Sequence, residues 1–109
     1  MSLNVSALAK DMVAAFTGVL KDKAPDIKSY AESEAKKLAH TLVMIEKLVI
    51  VGKIDEEEAK LHLEIQKNAA RTVFLTIEGL GVLAVEQAIN AALDVVKGAV
   101  NKALGFALL

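Results

Sequence analysis

The chain of 109 residues contains no cysteine and no tryptophan, and it has a single proline and a single tyrosine. The lack of cysteine excludes a disulfide scaffold, a thiolate metal site and a cysteine nucleophile. It also suits a reducing compartment, so we expect a cytoplasmic protein. Aromatic residues make up only 4% of the chain, and none is interleaved with basic residues as in proteins that stack nucleic-acid bases.

Charge of one sign is also missing. Thirteen basic residues face fourteen acidic ones, for a formal net charge of −1, and no stretch is strongly basic. We therefore expect no nucleic-acid binding, which depends on clustered positive charge. No uncharged run exceeds nine residues, whereas a membrane-spanning helix needs about 20. The first residues show no secretory signal, because no basic cluster precedes an apolar run.

What the chain does have is apolar residues that favour helices. Hydrophobic residues make up 54% of it, and alanine, leucine and valine supply most of them. Alanine and leucine are among the strongest helix formers. A chain of this length buries roughly two-thirds of its surface. We therefore expect an apolar patch to remain exposed unless a second copy covers it.

Apolar residues recur at steps of three and four, which predicts amphipathic helices. Pro25 favours a helix boundary and fits the first turn of the following helix. Asp55 and Glu58 have the spacing of a capping box, which marks another helix start. We predict a single helical domain over residues 1–109, with helices at about 4–20, 25–51, 55–78 and 82–106.

The stretch from residue 55 to residue 106 could form one long helix or two helices. Polar residues keep one azimuth up to Glu78 and a second, displaced by roughly 100°, from Glu86 onward. Gly79 and Gly81 would each cost about 1 kcal/mol inside a helix. We therefore predict a break at these two glycines.

The segment after Gly81 is apolar around most of its predicted circumference. Its only charged residues are Glu86, Asp94, Lys97 and Lys102. Such a helix is buried either at the centre of a bundle or between subunits. Because only three other helices can cover it, we expect burial against a second copy. We therefore predict an all-α fold of antiparallel helical hairpins that form a three- or four-helix bundle, which self-association completes.

One polar residue lies where an apolar one is expected. Positions 27, 31, 34, 38, 41, 45 and 48 form a coiled-coil-like seam with Glu34 and Thr41 as polar insertions. In an antiparallel hairpin whose level residues sum to about 106, Glu34 faces Thr72 and Thr41 faces Ile65. Our hypothesis is that Glu34 bonds Thr72 or a polar group of a second subunit and fixes the register; the alternative is that it points to solvent. Thr72 and Thr76 are otherwise expected to bond back to the preceding turn.

Candidates for metal chemistry are few. A di-iron site in a four-helix bundle needs Glu-x-x-His motifs, but Lys37 and Ala59 stand three residues before His40 and His62. Glu58 and His62 are one turn apart and could bind a metal weakly, although we expect an ordinary surface contact. No Gly-x-x-x-x-Gly-Lys or Gly-x-Gly-x-x-Gly motif occurs. We predict no enzyme and no catalytic, cofactor-binding or metal-binding residues.

These observations favour a structural or assembly protein that acts through homo-oligomerisation, and a different protein partner is a further possibility. One alternative is a peripheral membrane or lipid-binding protein, since a wide apolar arc can lie in an interface. It is weakened because the last segment has only two lysines and one phenylalanine. A second alternative is a ferritin-like bundle or one that binds a ligand in an internal cavity.

Overall fold

The computed structural model describes residues 3–109 and contains four α-helices there: α1 (Val5–Leu20), α2 (Ile27–Ile50), α3 (Glu56–Leu75) and α4 (Val82–Leu104). The molecule measures 42 × 22 × 18 Å. α1 and α3 each pack against both α2 and α4, and α2 also contacts α4. The predicted all-α class and helical bundle are therefore confirmed.

Two helix starts follow directly from the local sequence. The side chain of Asn4 accepts a hydrogen bond of 3.0 Å from the N–H of Ala7 and caps α1. Asp55 accepts 2.8 Å from the N–H of Glu58, and the Glu58 side chain accepts 3.2 Å from the N–H of Asp55. This confirms the predicted capping box, which satisfies two N–H groups that a helix start leaves without partners.

The helix ends differ from the prediction by a few residues. Pro25 is not in the first turn of α2, because α2 begins at Ile27 and Pro25 lies in the preceding turn. α3 stops at Leu75 rather than residue 78, since a turn begins at Thr76. Within that turn Gly79 adopts a φ of +92°, which an L side chain rarely does. The predicted break between the last two helices is confirmed.

The core is built around α1, whose buried residues recur every fourth position: Leu8, Met12, Phe16 and Leu20. The ring of Phe16 meets that of Phe74 on α3, with centroids 5.0 Å apart and planes tilted by 51°. Both rings are fully buried. These two large side chains therefore bridge α1 and α3, whose backbones do not approach each other closely within the described residues.

Helix α4 is covered within one copy more completely than its composition suggested. Its inner positions are buried by the other helices: Ala84, Val85, Ala88, Ile89, Ala92, Leu93, Val96 and Val100. Three large apolar residues stay exposed, namely Val82, Leu83 and Val95. The other helices therefore cover the inner face of this segment but not all of its apolar surface. No helix within residues 3–109 has both the length and the apolarity that crossing a membrane requires.

Helix α3 turns a different face to the core from the one its apolar pattern suggested. Leu61, Ile65 and Ala69 recur at every fourth position and have the spacing of a buried apolar stripe, but all three are exposed. The buried residues are Ala59, Leu63, Ala70 and Phe74. Two of these are alanines, so the buried face is no more hydrophobic than the exposed one, and hydrophobicity alone does not identify it.

Candidate functional site on the outer face of α3

Most polar surface positions are unremarkable, but several large apolar side chains remain in contact with solvent. They occur at the α2–α3 connection, at the α3–α4 connection, on α3 itself and singly elsewhere. The full set is Tyr30, Met44, Ile50, Val51, Leu61, Ile65, Leu75, Val82, Leu83 and Val95. Single exposed apolar residues are normal. An ordered row of them on one element points to an interaction surface.

Helix α3 carries such a row. Leu61, Ile65, Asn68, Thr72 and Leu75 follow one another in steps of four, three, four and three, which is the spacing of a coiled-coil seam. All five are exposed, and Leu61, Ile65 and Leu75 are exposed by 62%, 60% and 39%. We call these five residues the outer seam. The seam is apolar at both ends and polar in the middle.

The contact between α3 and α2 lies next to the buried face of α3, away from the outer seam. The hydroxyl of Thr41 on α2 donates to Oε1 of Gln66 at 3.5 Å, so the two helices pair in the predicted antiparallel register to within one residue. Thr41 thus meets Gln66 rather than Ile65. Met44, which is 40% exposed, lies one turn further along α2, level with about residue 63.

The polar middle of the seam is held in place by its own helix. The hydroxyl of Thr72 donates to the carbonyl of Asn68 at 2.9 Å, as expected for a helical threonine. Thr76 likewise bonds the Val73 carbonyl at 2.6 Å. Oδ1 of Asn68 accepts from the guanidinium of Arg71. Asn68 and Thr72 are therefore oriented before any partner arrives.

Arg71 also joins α3 to α4. Its Nε and Nη2 atoms donate to the two carboxylate oxygens of Glu86, the second at 3.1 Å. This hydrogen-bonded pair lowers the pKa of Glu86 and raises that of Arg71, since each charge favours the ionised form of the other. The field of Glu64 adds to the rise for Arg71. Arg71 and Glu86 lie on either side of the turn at Gly79–Gly81, which brings them together.

Glu34 is buried as its seam position implied, but its partner differs from the hypothesis. Only 1% of the residue is exposed. Its Oε2 atom pairs with the ammonium of Lys37 at 3.1 Å, and Oε1 has no hydrogen-bond partner among residues 3–109. The Thr72 hydroxyl is directed to Asn68 instead. The proposed Glu34–Thr72 bond is therefore wrong, and Glu34 does not point to solvent either.

A second buried glutamate was not foreseen. Glu46 is not one of the seam positions of α2, yet only 1% of it is exposed. Its Oε1 accepts from the backbone N–H of Leu3 at 3.3 Å and so ties the chain before α1 to the end of α2. The face of α2 that meets α1 is rotated around the helix axis from the face that meets α3. A single-seam interpretation of α2 could not reveal it.

A groove separates α3 from α4 near the chain's last residues. It encloses about 660 Å³, with leucines at its base and charged or amide groups at its rim: Leu63, Leu93, Leu108, Leu109, Lys60, Glu64, Lys67, Asn90 and Asp94. Asn101 shapes one side, because its Oδ1 accepts from the N–H groups of Leu108 and Leu109, both at 3.0 Å. The role of Asn101 is therefore structural.

The two candidate metal ligands, Glu58 and His62, lie in the first two turns of α3. The Glu58 carboxylate belongs to the capping box, and His62 is partly buried one turn further on. Within the part of the chain that the structure describes, no group of three or more histidine, aspartate or glutamate side chains could hold a metal ion. The ferritin-like interpretation thus gains no donor set.

Comparison of the chain with family models, with curated proteins and with solved structures gave no match in any of the three. Any function must therefore be inferred from the geometry of this chain alone.

Proposed function

We propose that this protein is a structural or assembly component that acts by associating with further copies of itself through the outer seam of α3. The observation that carries the proposal is the 4-3-4-3 row of exposed residues in which Leu61 and Ile65 are each about 60% exposed. A packed monomer has no need of such a seam, and burying it against a second copy would remove apolar area from water.

The size of the seam sets the strength that we expect. A helix of 20 residues is about 30 Å long and about 10 Å wide, so one face covers roughly 300 Å². Standard stable interfaces bury about 800 Å² on each partner. The surface that the seam offers is therefore small. The association should therefore reverse on dilution.

Sedimentation analysis over a range of protein concentrations tests the proposal. The mean mass should rise above the 11.6 kDa of one chain as concentration increases. Changing Ile65 to lysine removes from each partner an isoleucine that association would bury. The free energy of association should weaken by about 1.5 kcal/mol for each copy. Two such losses correspond to a dissociation constant raised about a hundredfold. A mass that stays at one chain at all concentrations would refute self-association.

Val95 provides the matched control. It is 54% exposed, close to the 60% of Ile65, but it lies on α4 away from the outer seam. Changing Val95 to lysine should leave the association unchanged while adding the same charge. If both variants weaken the association equally, net charge rather than the seam explains the effect.

The two alternatives have weaker support. The seam begins beside Asp55 and three consecutive glutamates, whereas helices that lie on membranes carry lysine and arginine on their polar borders. The groove between α3 and α4 has the size of a ligand site. However, its rim carries both charge signs, which favours no particular ligand.

A further inference from the structure

We infer that two copies pair through α3 in antiparallel orientation, with the twofold axis near Asn68. This inference rests on the proposed function, because it specifies the partner and the orientation at the same seam. Three features of α3 carry it: the acidic first turn, the position of two opposite charges beside the seam, and the order of apolar and polar residues along it.

The acidic first turn disfavours the parallel arrangement. Asp55, Glu56, Glu57 and Glu58 lie together at the start of α3. Parallel pairing would place eight carboxylates at one end of the dimer. Antiparallel pairing separates the two acidic turns by about 30 Å, the length of the helix. Since charges are screened over about 8 Å at physiological salt, their repulsion then becomes negligible.

Charges beside the seam favour the antiparallel arrangement directly. Glu64 and Arg71 are seven residues apart and flank the seam on the same side. Antiparallel coiled-coil packing with its axis near residue 68 brings Glu64 of one copy close to Arg71 of the other, twice by symmetry. Arg71 uses three N–H groups for Glu86 and Asn68. A guanidinium has five, so two remain for a carboxylate of the second copy.

The seam residues are compatible with the same axis. Residues whose numbers sum to about 136 then lie level, which pairs Leu61 with Leu75 of the second copy and brings the two Asn68 side chains together. Apolar ends meet apolar ends, and the amides meet at the centre.

Single-cysteine cross-linking tests the orientation, because the native chain contains no cysteine. A disulfide requires Cα atoms within about 7 Å. Asn68→Cys should therefore form a covalent dimer under mild oxidation. Leu61→Cys alone should not, since the two copies of residue 61 would be about 20 Å apart. A mixture of Leu61→Cys and Leu75→Cys proteins should cross-link to each other.

A charge variant gives an independent measurement. Glu64→Gln should raise the dissociation constant several-fold and reduce its dependence on salt. Glu56→Gln is the control, because Glu56 and Glu64 each form an exposed 3.3 Å pair with a lysine of the same helix, Lys60 and Lys67. Only Glu64 flanks the centre of the proposed pairing. Equal effects of the two substitutions would contradict the Glu64–Arg71 contact.

The outcomes separate the orientation from the proposed function. A covalent dimer of Leu61→Cys with itself, together with no covalent link between Leu61→Cys and Leu75→Cys in the mixture, would indicate parallel pairing and overturn the inference. A concentration-dependent mass with no cross-link at either position would place the contact on another surface. That result would overturn the inference and keep self-association. A mass of one chain throughout would refute both.

Discussion

Replacing Glu34 with leucine should make the protein more stable, although it removes an ion pair. The carboxylate is 99% removed from solvent, and only one of its two oxygens has a partner. That partner, Lys37, is 54% exposed. A half-exposed lysine offsets little of the cost of burying a charge. A leucine at this position would join the apolar core around Leu38.

The magnitude follows from three contributions. Removing a buried oxygen that lacks a hydrogen bond gains about 1–3 kcal/mol. Losing the pair with Lys37 costs about 0.5 kcal/mol. Exchanging the carboxylate for apolar atoms adds some gain, which imperfect fit offsets in part. We expect Glu34→Leu to raise the free energy of unfolding by about 2 kcal/mol. For a chain of this length the melting temperature should rise by about 8 °C.

Urea unfolding followed by far-ultraviolet circular dichroism measures this change, and Glu46→Leu is the matched control. Glu46 is equally buried, but its carboxylate accepts the N–H of Leu3. Losing that bond leaves a buried N–H without a partner. The control should therefore be about 1 kcal/mol less stable than the native protein. If Glu34→Leu were as destabilising as Glu46→Leu, the account of Glu34 as a costly, poorly paired charge would be wrong.

Four further substitutions test the turn before α4, the interior of α4, the Arg71–Glu86 pair and the chain's last residues. Gly79→Ala should destabilise the protein by about 1–2 kcal/mol in urea unfolding, because φ is +92° and a Cβ would lie 3.3 Å from the Lys23 carbonyl. Gly98→Ala should stabilise the protein by about 0.5–1 kcal/mol in the same assay, because Gly98 lies inside α4 with open space around it. The lowered pKa of Glu86 means that its stabilisation is present above about pH 4.3 and is lost as pH falls through the folded value. Glu86→Gln should therefore show a smaller stability loss between pH 5 and pH 3, by less than about 1 kcal/mol because the side chain is partly exposed. Asn101→Ala should accelerate amide hydrogen exchange at Leu108 and Leu109, because Oδ1 of Asn101 accepts hydrogen bonds from both N–H groups in the native protein.

The four helices, one capping box and the break before α4 could be predicted because they depend on neighbouring residues, whereas the helix ends differ from the prediction by up to three residues. The Asp55–Glu58 capping box and the turn at Gly79–Gly81 involve contacts within a few positions. The partners of buried polar groups depend on azimuth and on the relative rotation of packed helices. Predicting Thr72 as the partner of Glu34 required both of these quantities. The prediction is wrong because the Thr72 hydroxyl donates to the Asn68 carbonyl of its own helix.

Helix α3 shows why the candidate site could not be located from the sequence. It carries two faces of similar hydrophobicity, one centred on Leu63 and Phe74 and the other on Leu61 and Ile65, and only packing decides which is buried. The buried face combines two alanines with Leu63 and Phe74, and the ring of Phe74 packs against Phe16 on α1. Leu61, Ile65 and Leu75 are left exposed on α3, and Val82, Leu83 and Val95 are left exposed on α4. Because the apolar spacing of α3 fits either face, only its rotation against the neighbouring helices decides which apolar residues remain in contact with water.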